Sequence, residues 1–179
     1  SLRPYDAMTF TGGVSVNGGK LLVDSTSFNA SPYSNIIPVG NALSLGGGTL
    51  EVKSKNNNAS TQTFASTVIN AGDSSVIATA QGTSPAAEVI NLQALTRNAG
   101  GTVNFTNPAG TLSTTNSIKT STGTLSTILT DSDVAYATVG GGDWAAKDSG
   151  NAWILGLSSL SGYTASTGTA LSGNADVAT

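Results

Sequence analysis

The sequence predicts an all-β chain wound into a parallel β-solenoid, with an antiparallel β-sandwich as the alternative. Short runs rich in β-branched residues recur along the chain, and nearly all of them have the length of a strand. Clusters of Gly, Asn, Asp and Ser separate the runs, and these residues supply the positive φ angles and local hydrogen bonds that turns need. The clearest runs are 13–16, 20–23, 49–52, 67–69, 75–78, 89–92 and 102–105.

One hexad recurs within this pattern and favours the solenoid. It reads Gly-Gly, polar, apolar, any residue, apolar. Its copies open at Gly18 and Gly19, Gly47 and Gly48, and Gly100 and Gly101. The second gap is nearly twice the first, which indicates a period in the high twenties, as in repeat folds. The glycines are predicted to form corners where neighbouring rungs approach closely, whereas a sandwich gives no reason for a fixed spacing.

Alternation within each hexad assigns its residues to the two faces of a strand. Two apolar side chains fall on one face, and the residue between them falls on the other. We therefore expect Glu51 and Asn104 to point outward. The residues expected to point into the core are Leu50, Val52, Val103 and Phe105.

The composition suits a narrow core and excludes several functions. Hydrophobic residues make up 38% of the chain and charged residues 9%, so each turn buries few side chains and neutral groups fill the surface. The net charge of -3 is scattered, which gives no field to attract nucleic acid. Cysteine and histidine are absent, which removes disulfides, thiol chemistry and the commonest zinc ligands. No cofactor, metal site or membrane-inserted segment is predicted.

Several stretches resemble the autotransporter-associated β-strand repeats of very large exported proteins from Gram-negative, planctomycete and verrucomicrobial bacteria. A whole repeat is matched by residues 42–50, 61–64 and 69–77. Residues 92–105 resemble the segment that commonly follows a repeat, and residues 136–145 resemble the family's Ala-Thr-Val-Gly-Gly-x-Asp-Trp-Ala module. The resemblance covers much of residues 40–163.

The resemblance implies a right-handed parallel β-helix that acts as a passenger, stalk or adhesin, with no known catalytic residue to carry over. We accordingly expect residues 1–179 to form a single solenoid segment, with a distinct aromatic-containing module at about 131–163. The expected role is structural and non-catalytic, in a secreted or surface-attached bacterial protein. Because the chain opens at Ser1 without an initiator Met, we also expect a piece of a longer precursor.

The densest group of carboxylates is the first candidate for chemistry. Asp131 and Asp133, with Asp143 and Asp148 nearby, offer oxygen ligands of the kind that bind Ca²⁺. Their spacing matches neither an EF-hand nor a calcium β-roll, which favours a solvated turn.

A second candidate pairs Arg97 with Glu88, the opposite charges available in the middle of the chain. A polysaccharide-cleaving β-helix needs a base beside acidic residues, and the separation of the two in sequence is compatible with positions on adjacent rungs. With charges so sparse, a surface ion pair is the favoured interpretation, and the chain is predicted not to be an enzyme.

Four aromatic residues fall within one short region, namely Tyr136, Trp144, Trp153 and Tyr163. Aromatic rings stack on the apolar faces of sugars, so Trp144 and Trp153 are candidate glycan-contact residues of an adhesin module. The favoured alternative is that the rings cover the end or side of the coil, because they bury large areas in a chain with few aromatics.

The ends of a solenoid expose unpaired backbone groups, which natural proteins cover with caps or charge. Neither terminus of the sequence shows a charged amphipathic cap. We therefore expect the chain to assemble, either with further copies as a fibre subunit or with the remainder of a longer solenoid as a stalk. Glycans are the other candidate partner.

Overall fold

Residues 7–27, 33–82, 87–166 and 175–177 are described by the structure, a computed structural model of the chain. This part of the chain is all-β apart from one 3-10 turn at Leu157–Ser159. It contains no helix that is long and apolar enough to cross a lipid bilayer. The first residues, where the sequence predicts a processed start, lie outside the described residues.

Twelve strands form a three-faced coil of four successive rungs. The first rung contains β1 (Val14–Val16), β2 (Lys20–Asp24) and β3 (Tyr33–Ser34). The second contains β4 (Leu43–Leu45), β5 (Thr49–Lys53) and β6 (Ser60–Thr63). The third contains β7 (Thr67–Ile69), β8 (Gly72–Thr79) and β9 (Glu88–Asn91). The fourth contains β10 (Leu95–Arg97), β11 (Gly101–Thr106) and β12 (Ser117–Lys119).

Strands at the same place in successive rungs pair in parallel and form the three faces. The first face runs β1-β4-β7-β10, the second β2-β5-β8-β11 and the third β3-β6-β9-β12. This topology confirms the parallel β-solenoid, and the antiparallel sandwich is wrong for this part of the chain. Because each strand pairs with strands one rung away, nearly every ladder joins residues that are distant in sequence.

The register explains the spacing of the hexads. On the second face Lys20 lies opposite Thr49, Thr49 opposite Ser75, and Ser75 opposite Asn104. The first and last of these steps equal the spacing of the first two hexads, and the middle step is slightly shorter. Equivalent side chains therefore stack in columns along the coil axis. One inward column on the second face consists of Leu21, Leu50, Val76 and Phe105.

The predicted alternation is confirmed on the second face. Glu51 and Asn104 are both partly exposed. The residues expected to face inward are 0 to 2% exposed, namely Leu50, Val52, Val103 and Phe105. A continuous apolar core thus runs through the rungs and needs only a few side chains from each strand.

The hexad glycines lie at the corners that lead into the second face. Positive φ angles occur at Gly18 (96°), Gly19 (66°), Gly47 (80°) and Gly100 (78°). Gly48 is required for a different reason, since a Cβ there would lie 2.6 Å from the carbonyl oxygen of Val16. A Cβ on Gly101 would likewise lie 2.7 Å from the carbonyl oxygen of Ile69. Close approach between rungs therefore limits these two positions to glycine.

The third rung opens its second face without a diglycine. Ala71 and Gly72 occupy the corner, and Gly72 pairs in register with Gly101. The longer gap between the second and third hexads is therefore two rungs. A motif based on two glycines missed the middle rung because a single Gly, with a φ of 121°, is sufficient at this corner.

After the fourth rung the chain forms further short strands. These are β13 (Thr127–Ile128), β14 (Thr130–Asp131), β15 (Val134–Ala135), β16 (Ala137–Val139), β17 (Asp143–Lys147), β18 (Ile154–Gly156), β19 (Thr164–Ser166) and β20 (Ala175–Val177). The strand β16 adds in parallel to β11, but β17 pairs antiparallel with β16, β13 and β18. We call residues 127–163 the C-terminal module.

The C-terminal module corrects the expectation that both ends of the coil are uncapped. The parallel stacking of the second face runs from β2 to β16 and does not continue into β17, which is antiparallel to β16. Beyond the module, β19 and β20 pair in parallel with each other in a separate sheet. The chain reverses at Gly140 and Gly141, whose φ angles are 63° and 76°. The sequence contains no charged amphipathic cap, and this end of the stack is covered instead by a change of strand direction.

Candidate functional site

Arg97 lies at the closed end of the coil and occupies an inward column of the first face. Leu45, Ile69 and Arg97 lie in register on successive rungs, and the first two are fully buried. Arg97 thus replaces the apolar side chain that a further rung would pack against. An inward-pointing charge at the edge of a sheet is a known way to prevent strand addition.

Three contacts hold the Arg97 guanidinium at this edge. Its Nη1 lies 3.3 Å from Oδ2 of Asp131, and its Nε donates a 2.9 Å hydrogen bond to the carbonyl of Gly101. The guanidinium carbon lies 5.9 Å from the centre of the Tyr136 ring, within range of a cation–π contact. Burial and the Asp131 carboxylate raise the pKa of the Tyr136 hydroxyl, while Arg97 opposes them.

Lys147 fastens the C-terminal module to the loop after the fourth rung. This residue is 6% exposed, and its Nζ donates hydrogen bonds of 3.1 Å to the carbonyls of Ser121 and Gly123. The edge of β10 is covered from the same loop, because the backbone N–H of Leu95 donates to Oγ1 of Thr122 at 2.6 Å. These backbone groups are therefore satisfied within the chain.

The opposite end of the coil is different. Among the described residues, no strand pairs with the outer edges of β1, β2 or β3. The backbone N–H of Met8 donates to the carbonyl of Ile36 at 2.9 Å, and that of Val14 to the carbonyl of Ala42 at 2.8 Å. Ile36 follows β3 of the first rung, so Met8 lies one rung before it, whereas the Val14 bond joins the first and second rungs. The chain at Met8 therefore follows the course of a preceding rung. We call the outer side of β1, β2 and β3 the N-terminal edge.

The members of the candidate acidic cluster lie in separate segments and have separate partners. Asp131 contacts Arg97, Asp143 accepts hydrogen bonds from the backbone N–H and hydroxyl of Ser158, and Asp148 accepts from the turn at Gly150. Across the described ranges, no group of three or more carboxylates is gathered in a geometry suited to a metal ion.

Glu88 and Arg97 do not form the expected surface ion pair. Glu88 lies on β9 in the third face, whereas Arg97 lies on β10 in the first face and contacts Asp131. Glu88 is fully buried, so the expectation of a solvated pair is wrong. The Glu88 side chain instead accepts a hydrogen bond from the hydroxyl of Ser60, its register partner one rung away.

The buried environment of Glu88 favours its neutral form. Within the described part of the chain, Oε1 of Glu88 has no hydrogen-bond partner. Burial raises the pKa of this carboxyl to about 8, and the hydrogen bond from Ser60 opposes that rise only in part. Glu88 therefore carries a proton near neutral pH and acts as a hydrogen-bonding group of the core.

The four aromatic residues of the C-terminal region have different environments. Tyr136 is buried beside Arg97, while Trp153 and Tyr163 pack against a small second core that contains Ala146, Leu155 and Leu160. Trp144, on β17, is 46% exposed. It lines an open groove of about 840 Å³, which we call the Trp144 groove. Among its lining residues are Thr127, Ile128, Thr130, Leu157 and Tyr163.

Comparison with curated proteins shows one informative similarity. The chain is 31% identical over 155 residues to the adhesin BmaC autotransporter of Brucella suis biovar 1 (strain 1330). The match covers 82% of this chain but only 4% of that protein, so the chain spans a small fraction of its relative. No family model matches the chain, and no solved structure matches it.

The first prediction concerns the closed end. Replacing Arg97 with Ala removes the ion pair, the hydrogen bond to Gly101 and the ring contact, so we expect stability to fall by about 1–3 kcal/mol. Amide hydrogen exchange is expected to accelerate first in residues 127–147. The matched control is Lys20→Ala, which removes the ion pair of a more exposed cation with Glu51 and should cost less than Arg97→Ala, at most about 1 kcal/mol. Equal effects of the two substitutions would contradict the role of Arg97.

The second prediction concerns pH. The carboxyl of Glu88 has a pKa of about 8 in the folded state and 4.5 when unperturbed, so between these values the folded chain holds a proton that the unfolded chain releases. The free energy of unfolding therefore falls as pH rises from 4.5 and levels off above 8, with a slope of about 1.4 kcal/mol per pH unit.

Urea denaturation at pH 6 and pH 9 measures this effect. The variant Glu88→Gln keeps the size of the side chain and has no proton to lose, so we expect its stability to be nearly unchanged over this range. Ser60→Ala is the control for the hydrogen bond, because it retains the buried carboxyl and should retain the pH dependence. A wild-type chain that is as stable at pH 9 as at pH 6 would show that Glu88 is not buried in this way.

Proposed function

We propose that the chain is a structural, non-catalytic stretch of solenoid in a secreted or cell-surface bacterial protein, where it serves as a stalk. The observation that carries this proposal is the difference between its ends. The C-terminal module covers one end, while the N-terminal edge offers three parallel strands to a further rung. Similarity to an autotransporter adhesin over 82% of the chain supports a location outside the cell.

We further propose that the hexads belong to the autotransporter-associated β-strand repeats. Each hexad supplies one corner and one strand of the second face, which is what a repeat must do to propagate a coil. The single-Gly corner at Gly72 accounts for the apparent omission of a copy. The partner of the N-terminal edge is then the remainder of a longer solenoid.

The two modes of assembly expected from the sequence differ in what they require. A fibre of head-to-tail copies needs two open ends, whereas a stalk within a longer chain needs only one. Arg97 and the antiparallel β17 obstruct the second end. We therefore favour the stalk over the fibre subunit.

A non-catalytic role is also supported by the partners of the candidate residues. Arg97 is engaged by Asp131, and Glu88 is enclosed in the core with Ser60. A general acid or base must reach its substrate, and neither side chain is arranged to do so.

A second candidate function is attachment to a surface, as in an adhesin. The exposed indole of Trp144 favours it, because a large aromatic face open to solvent in a chain with few aromatics is typical of a contact residue.

The third prediction tests the stalk. The register places Leu43 opposite Thr67, so residues 43–66 form one complete rung. Inserting a second copy of this rung after Ser66 should give a folded chain whose denaturant m-value is higher, because more surface is buried. We expect small-angle scattering to show a coil longer by about 4.8 Å. The control is an insertion of the same segment in scrambled order, which should disrupt folding.

Sedimentation of the wild-type chain over a range of concentrations distinguishes the two modes of assembly. The stalk predicts no open-ended growth, because one end is closed. Long filaments of the wild-type chain would instead support the fibre, and an unfolded duplicate-rung variant would refute the modular stalk.

A further inference from the structure

The Trp144 groove is formed where the C-terminal module leaves one strand partly uncovered. On β17, Trp144 and Ala146 alternate with Ala145 and thus share a face of the strand. Ala146 is covered by the second core, to which Leu157 and Tyr163 contribute. Trp144 is not covered by the second core, and its exposed side chain lines the groove together with Leu157 and Tyr163.

The opposite side of the groove is lined mainly by hydroxyl-bearing residues. The strand β13 runs antiparallel to β17 with Ile128 opposite Ala146, and the backbone N–H of Leu129 donates to the carbonyl of Ala145 at 2.8 Å. Continuing this register brings Thr130 beside Trp144. Thr130 also lines the groove, so a hydroxyl-bearing residue borders the same space as the Trp144 ring. Thr127 alternates with Ile128 on β13, and its hydroxyl donates to the carbonyl of Thr124 at 2.8 Å.

The lining of the groove carries no formal charge in the part of the chain that the structure describes. It combines apolar side chains with hydroxyl groups. An anionic or cationic ligand would find no partner here, whereas a ligand with both apolar faces and hydroxyl groups would.

We propose that the Trp144 groove binds a neutral polysaccharide, with a sugar ring stacked on the Trp144 indole and a sugar hydroxyl bonded to Thr130. The apolar C–H face of a sugar matches the ring, and a hydroxyl of the sugar matches the Thr130 side chain. This inference rests on the second proposed role, attachment to a surface, and gives that role a site and a ligand class. The proposed role as a stalk does not depend on glycan binding at this groove.

The experiment measures binding of neutral oligosaccharides to the full chain. Cellohexaose, maltohexaose and a neutral galactan are titrated by calorimetry, with polygalacturonate as the acidic comparison. We expect saturable binding to at least one neutral glycan and none to polygalacturonate. Trp144→Ala should weaken binding at least about tenfold, and Trp144→Phe, which keeps a ring, should weaken it less.

Two further variants separate the groove from general effects. Phe10→Ala removes another exposed aromatic, 39% exposed and outside the groove lining, and should bind as the wild type does. Thr130→Val keeps the shape of the side chain but removes its hydroxyl, and should weaken binding several-fold. Circular dichroism and the urea midpoint of each variant show whether the coil itself is intact.

Several results would overturn the proposal. One is a wild-type chain that binds no neutral glycan saturably, and another is a Trp144→Ala variant that binds as tightly as Phe10→Ala. Binding of polygalacturonate alone would point to charge rather than stacking. Concentration-dependent association of the wild type that Trp144→Ala abolishes would identify the groove as a contact between copies. None of these results bears on the duplicate-rung test, so failure of the groove and failure of the stalk are distinguishable.

Discussion

The parallel register between strands one rung apart is the constraint on which the rest of the structure depends. It places Leu50 on Val76 and Val76 on Phe105, so each apolar side chain is covered by its counterparts in neighbouring rungs. A shift by a single position would turn every column of the second face toward solvent. The corners without space for a Cβ follow from the same register, because the rungs are closest there.

A core built from stacked rungs must be terminated, and two of the few charged residues of the chain lie where the stack ends. Only 9% of the residues are charged, yet Arg97 and Lys147, both largely buried, lie at the closed end. Each is satisfied by groups of the loops or of the C-terminal module. Along the rungs, neutral groups take the place of charge, as where Asn98 donates to Asn70 and Asn70 to Ser44 on successive rungs. Such a surface leaves the backbone edges as the main determinants of association.

The solenoid and its core columns were predictable because alternation and repeat spacing encode them directly. Arg97 was also within reach, because it ends its strand just before a glycine corner, as Leu45 and Ile69 do. The burial of Glu88 could not be predicted, because the third face carries no recurring motif that fixes its register. The Trp144 groove was only half predictable: the aromatic cluster marked the region, but exposure of one indole depends on which strand the second core covers.

The most direct test of the stacked parallel register is disulfide trapping between rungs. Because the chain has no native cysteine, every disulfide that forms must join the two introduced residues. Ser15 lies opposite Ser44, and Ser44 lies opposite Val68, so Ser15 and Val68 are two rungs apart. Paired strands lie about 4.8 Å apart, within the range a disulfide bridges, whereas two rungs exceed it. Stacked parallel rungs predict rapid oxidation of Ser15→Cys with Ser44→Cys and none of Ser15→Cys with Val68→Cys. Efficient trapping of the second pair, or none of the first, would contradict the stacked parallel register.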